Sequence, residues 1–271
     1  MVAESCNTLK EHDLNADVAK LGITITDNIV SDSRTVQNLD KFFKFNRQYV
    51  EILNAQPKDT TAVADSAEKS SEQLIVAIIA LNKVYQSYFL FADKGIVPAD
   101  TKFTENVKAV IEILNIIIPA EKEKLETLNE TANARNFNEK NMIFQINTLF
   151  LKYSENEFAI QKKKFAKINA QYEKQVRSIP ASAFDVKKLA TLVTEPVNGD
   201  NLLIEVYKLQ LISQAADKVE DLNHSLDMAL SALNLLNRMH AEFLKKQPDR
   251  DEIQNMIIRA QNIYPTIEKA E

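Results

Sequence analysis

The stretch NLLIEVYKLQLISQAADKVEDLNHSLDMALSALNLLNRMHAEFLKKQ, residues 201–247, decides the fold. It holds neither proline nor glycine. Its apolar residues Ile204, Tyr207, Leu211, Ala215, Leu222, Leu226, Ala229, Leu233, Leu236 and Phe243 recur at three- and four-residue steps. That spacing places side chains on one face of a helix. Gly199 and Asp200 punctuate the start and Pro248 the end, so the pattern predicts one helix on the order of 65–70 Å long. Leu211, Leu222, Leu233 and Leu244 stand eleven residues apart. An eleven-residue period follows a straight or slightly right-handed course, suited to lying along several partner helices.

Working outward, the rest of the chain repeats this character. A short polar helix over 7–21 is expected to stop at Gly22, and a second to open at Thr24 or Thr26 and run to about Ala55. Ile29, Val36, Phe43 and Val50 form a seven-residue series on that helix. Ile25, Leu39 and Leu53 follow the matching offset, interrupted by Asp32 and Asn46, and polar residues on such a seam fix register. A third helix is predicted over 61–94, stopped at Gly95, and a fourth over 103–136 with a kink or break at Pro119. The fifth spans about 139–178, with Ile143, Ile146, Phe150, Tyr153, Ile160, Ile168, Tyr172 and Val176 as its buried stripe. An irregular connector, 179–200, carries one short helix, and a last helix over 249–263 is capped by Asp249. No stretch alternates like a strand between turn signals.

The expected fold is therefore all-α: an elongated antiparallel, up-and-down bundle of about five long helices plus short terminal and connecting ones. Residues 1–22 read as a polar N-terminal segment or tether, and 23–271 as a single bundle domain. Composition agrees. Of 271 residues 45% are apolar, only 3 are glycine, and none is tryptophan; a doubly wound nucleotide fold needs a glycine-rich first turn that is missing here. The formal charge of -5 is mild and mixed, which argues against nucleic acid as a partner.

Local signatures of catalysis are missing. The chain has no HExxH, P-loop, GxGxxG or GxSxG. A di-iron bundle needs two Glu-x-x-His units plus two further glutamates facing inward, and the nearest match is the single Asp221-Leu222-Asn223-His224. His224 shares the outer face of its helix with Asp217, Glu220, Asp221 and Asp227; converging carboxylates could hold a cation loosely there, but the face reads first as a solvated acidic stripe. His240 falls on the buried stripe beside Leu236 and Phe243, and His12 lies in the polar N-terminal helix. The reading is a non-enzyme without metal or cofactor.

Three features carry functional expectations. Cys6, the only cysteine, is followed by the polar run Asn7-Thr8-Leu9-Lys10-Glu11. This is similar to the mature start of a bacterial lipoprotein, in which the first cysteine bears the lipid. Glu4 departs from the cleavage pattern, so the resemblance requires the mature chain to begin at Cys6. It implies a periplasmic, lipid-anchored envelope protein; an incidental thiol leaves the location cytoplasmic or secreted. Lys162, Lys163, Lys164 and Lys167 form a basic cluster, either a contact patch for anionic lipid or an acidic protein face, or plain solvated surface. The third feature is a hairpin of the two most apolar helix halves, marked by Leu74, Ile78, Leu81, Tyr85 and Phe89 on one arm and Val107, Ile111, Leu114 and Ile118 on the other.

Long amphipathic helices carrying one apolar hairpin resemble the layout of helical pore-forming toxins of the cytolysin A and haemolysin BL kind. The resemblance covers the order of helices and rests on no motif; it implies a membrane-active component working through residues 74–118. Asn82, Lys83, Gln86, Glu112 and Asn115 interrupt the hairpin, and the alternative is that it forms the best-buried faces of an ordinary bundle. The leading expectation is a structural or partner-binding protein docking other proteins through its helix faces, with peripheral membrane association through Cys6 or the lysines. A bundle holding an apolar ligand is a third option, dependent on a cavity.

Overall fold

The structure is a computed structural model. It describes the backbone of residues 2–53, 64–94, 102–134, 138–189, 191–193 and 199–264, and the side chains of 14–50, 72–93, 102–134, 138–189, 191–193 and 199–264. Every regular element among them is helical, and the fold is an all-α bundle. The α-helices are α1 (Val2–Leu53), α2 (Ala64–Lys94), α3 (Phe103–Ile117), α4 (Lys122–Asn133), α5 (Glu139–Arg177), α6 (Val186–Leu189), α7 (Asp200–Phe243) and α8 (Arg250–Ile263). The break expected at Pro119 is present. Ile118 leaves helical geometry and a 3-10 turn, Pro119–Glu121, starts the chain again into α4, because proline offers no N–H to continue the ladder. The Glu121 carboxylate holds Lys124 at 2.6 Å and also Lys152 of α5; these two ammoniums lower its pKa to about 2.

The chain divides into two compact units, one of Met1–Ser33, Glu72–Glu157 and Leu226–Glu271, the other of Arg34–Ser71 and Phe158–Ser225. In the first unit α1 and α2 run antiparallel: Asn82 reaches Thr26, Tyr85 lies on Gly22, and Tyr88 reaches back to Asn15. There α5 and α7 are antiparallel too, with Thr148 against Asn237 and the Lys140 ammonium over the Phe243 ring. A tight corner joins α7 to α8. Glu242 accepts the Asp249 N–H at 2.9 Å, and Asp249 caps α8 by accepting from the Glu252 N–H at 3.0 Å. The Tyr264 hydroxyl then donates to Asp32, so the seam carboxylate anchors the end of α8 to α1.

In the second unit α1 and α5 run parallel and α7 opposes α1. Phe43 of α1 stacks on Phe165 and meets Tyr172 edge-on, while Phe42 lies beneath the Lys218 ammonium of α7. Ile29, Val36, Phe43 and Val50, the predicted series, are all buried. On α5 the stripe departs from expectation at Ile160, and Ile168 is only half-buried. Ile160 is 50% exposed, and Phe158 and Phe165 take the core instead.

The larger correction concerns Gly22. It does not end a helix, and Thr24 and Thr26 do not begin one: α1 runs straight through. A glycine inside a helix sacrifices about 1 kcal/mol relative to alanine, and the neighbouring chain explains its presence. A Cβ on Gly22 would lie 2.3 Å from Tyr85 Cδ1, well inside van der Waals contact. The Thr26 hydroxyl donates back to the Gly22 carbonyl at 2.7 Å, a mid-helix bond that makes an N-cap unnecessary. Gly22→Ala is expected to lower stability despite the better helix propensity, by about 1–3 kcal/mol from overpacking. Urea unfolding checks this, and in a Tyr85→Leu background the same substitution should become neutral or stabilising.

Candidate functional site

The polar centre of the first unit is built on α2. At 2.7 Å the Asn82 side-chain amide donates to the Thr26 hydroxyl, and it also reaches the Asp27 carboxylate at 3.1 Å; its own carbonyl accepts from Gln86. One turn on, Tyr85 is fully buried and its hydroxyl is shared by two other helices. It accepts from the Asn147 amide of α5 and lies 3.1 Å from His240 Nε2 of α7. With Asn147 donating, the phenolic proton goes to Nε2, which places the imidazole proton on Nδ1. His240 Nδ1 and Asn147 Oδ1 have no hydrogen-bond partner among the described residues. Tyr88 and Phe243 complete the wall around the imidazole, and Phe103 of α3 packs on Tyr88. From α3, Asn106 donates to the Lys83 carbonyl and the Ser87 hydroxyl of α2.

Burial decides what this cluster can do. It pushes the Tyr85 phenol well above its usual range. It also pulls His240 down to about 3, with the Lys140 ammonium adding to the effect. Both groups are therefore neutral at pH 7 and buried between α2, α5 and α7. The cluster's chemistry is that of a register-setting polar layer.

The apolar hairpin is core. Leu74, Ile78, Leu81, Tyr85, Val107, Ile111 and Leu114 are buried, and Phe89 and Ile118 half-buried. Of the residues interrupting it, Asn82 and Gln86 bond to α1 and to each other, while Lys83, Glu112 and Asn115 face solvent. The hairpin's connecting loop, 95–101, lies outside the described residues. One helix among those described, over Glu72–Asp93, is long and apolar enough to cross a membrane, with a mean hydropathy of 1.6.

The basic cluster is split. The Lys164 ammonium pairs with Asp40 of α1 at 2.9 Å, both side chains nearly buried, and lies over the Phe165 ring. Lys162 is half-buried and engaged, and only Lys163 and Lys167 stand exposed. A recess of about 70 Å³ opens beside the ion pair over Phe43, Ile168 and Tyr172, with Lys44 and Arg47 at its rim. His224 and its acidic neighbours are all exposed. No group of three or more His, Cys, Asp or Glu able to hold a metal ion occurs among the described residues. The backbone of Cys6 belongs to α1, but its side chain, like that of His12, lies outside the described side chains.

Comparison with known protein families, curated proteins and solved structures finds no match for this chain.

Sequence reasoning placed Tyr85 and His240 on buried stripes but did not join them, and it passed over Asn147. The available signal was a polar residue directly after Ile146 on an otherwise apolar face. Tyr85→Phe keeps the ring and strands both the Asn147 amide and His240 Nε2 in the core. The expected loss is about 1–3 kcal/mol, read by thermal or urea denaturation at pH 7.5.

Proposed function

We infer that this chain is a non-enzymatic helical bundle whose outer helix faces dock other proteins. The observation that carries the reading is a stripe at the start of α7. Leu202 and Leu209 are 56% and 52% exposed, and half-buried Val206 lies between them. These positions share one face, turned away from the buried Ile204 and Lys208. An apolar stripe at i, i+4 and i+7 that stays largely open among the described residues is the pattern a partner helix or groove reads. Phe45 on α1, 72% exposed, adds a large apolar side chain to the same unit. Lys163 and Lys167 supply exposed positive charge there.

In this reading Cys6 tethers the protein to a bacterial envelope. Affinity capture of the tagged chain from its native cells tests both parts. The Leu202→Glu/Leu209→Glu protein should keep its helical circular dichroism and lose the captured partners; equal capture by both forms would sink the docking face. A diacylglycerol mass on the Cys6 peptide of the native protein is expected if the tether is real, and an unmodified thiol removes it.

A second reading rests on α2, whose Glu72–Asp93 span has membrane-crossing length and hydropathy. There the hairpin 74–118 leaves the core and enters lipid. The docking reading expects no dye release from anionic or zwitterionic liposomes at pH 7.5. Release that charged substitutions at Ile78 and Ile111 abolish would transfer the function to the hairpin.

A further inference from the structure

We propose that the His240–Tyr85–Asn147 layer is an acid-sensitive latch that holds α2 in the first unit and loosens as pH falls. The argument begins with position. Tyr85 of α2 meets three helices at once: its ring lies on Gly22 of α1, and its hydroxyl is shared between Asn147 of α5 and His240 of α7. A change at His240 is therefore felt by a side chain that joins α2 to all three, and by Tyr88, whose ring also faces the imidazole. The imidazole is fully buried and accepts the Tyr85 proton through Nε2. Protonation converts that acceptor into a donor, so the Tyr85 hydroxyl loses the acceptor for its own proton, and it puts a charge into an apolar wall.

Among the described residues, the one charge acting on the imidazole is the Lys140 ammonium, and no carboxylate is found against it. From α2 the titratable neighbours are Tyr85 and Tyr88, and from α5 the charged group acting on the ring is the Lys140 ammonium, of the wrong sign. On α7 itself Phe243 faces the ring, and Glu242 turns to Lys245 and the Asp249 N–H instead. In this layer α1 presents Asn15 and Gly22, with Asp17 and Lys20 exposed. α3 contributes Phe103 through Tyr88.

The direction follows from linkage. The folded imidazole titrates near 3 and the free one near 6.5, so the open state takes up the proton first. The latch holds fully above about pH 6.5 and weakens as pH falls toward 3. Between pH 7.5 and 5.0 the opening equilibrium should rise about 30-fold, a window in which ordinary carboxylates remain largely ionised. What the latch releases is the helix that carries the long apolar span Glu72–Asp93, with Leu74, Ile78 and Leu81 leaving the core.

Hydrogen exchange of the full chain at pH 7.5 and 5.0, corrected for the intrinsic rate, reads the opening of residues 74–92 directly. The expected result is a roughly 30-fold fall in protection in the wild type and little change in His240→Gln, which cannot be protonated. An equal fall in both, or none in the wild type, overturns the proposal. Should His240→Gln not fold, the wild type labelled with 13C at histidine Cε1 decides. One native histidine resonance must stay neutral down to about pH 5, and ordinary titration of all three would overturn the latch.

Discussion

The Tyr85 ring occupies the space where any residue but glycine at position 22 would carry its Cβ. Much of the first unit depends on that contact. It lets α1 and α2 approach backbone to ring, and so brings Asn82 within reach of Thr26, Ile23 and Asp27. It also fixes how deep the Tyr85 hydroxyl sits, and therefore which groups of α5 and α7 it meets. Apolar packing alone would tolerate a slip of one turn along these stripes, because Leu, Ile and Val at three- and four-residue spacing are nearly interchangeable. The polar layer does not tolerate it. A slip leaves the hydroxyl, amide and imidazole buried without partners, at about 1–3 kcal/mol for each orphaned group. Packing supplies the drive to associate, and the layer selects one register.

The same division of labour is found in the second unit with charge in place of neutral hydrogen bonds. Phe43, Phe165 and Tyr172 form the apolar contact between α1 and α5, and Lys164 with Asp40 closes it at 2.9 Å. A nearly buried pair of this kind adds little net stability over apolar residues of the same size, yet removing one partner is costly. Its role is therefore to exclude other alignments. This is also why the lysine cluster is a poorer contact patch than its spacing suggests: one of its four charges is spent inside the unit.

What was legible in the sequence, and what was not, follows from this physics. Helical periodicity is a local property, so the all-helical character, the break at Pro119, the Asp249 cap and the buried series Ile29, Val36, Phe43 and Val50 could all be read directly. Gly22 could not. A glycine that ends a helix and one that admits a neighbour's ring look alike until the ring is known, and that ring belongs to another helix. Thr24 and Thr26 misled for a related reason, since a hydroxyl that caps a helix from outside also bonds back to a carbonyl from within. Ile160 was assigned to the core by spacing alone. The stripe on α5 shifts to Phe158 and Phe165, and large rings outcompete one aliphatic side chain for the interior. At the candidate site, each member was visible as a residue on a buried stripe, but their meeting across three helices was not.

The apolarity of α2 has an explanation that needs no lipid. A helix packed on one side needs one apolar stripe, and a helix packed on most sides needs more. In the first unit α2 touches α1 through Asn82 and Tyr85, α3 through Ser87 and Tyr88, α5 through Tyr85, and α7 through Tyr85 and Tyr88. Four neighbours surround it, and the polar residues it retains are placed where a partner accepts them or where solvent reaches, as at Lys83. Among its described residues, the large apolar side chains left outside are Val76 and Ile79. A helix with these neighbours acquires membrane-like composition simply by being central. Composition alone therefore does not separate a core helix from an inserting one; the difference lies in whether its contacts can be released, and those contacts converge on Tyr85.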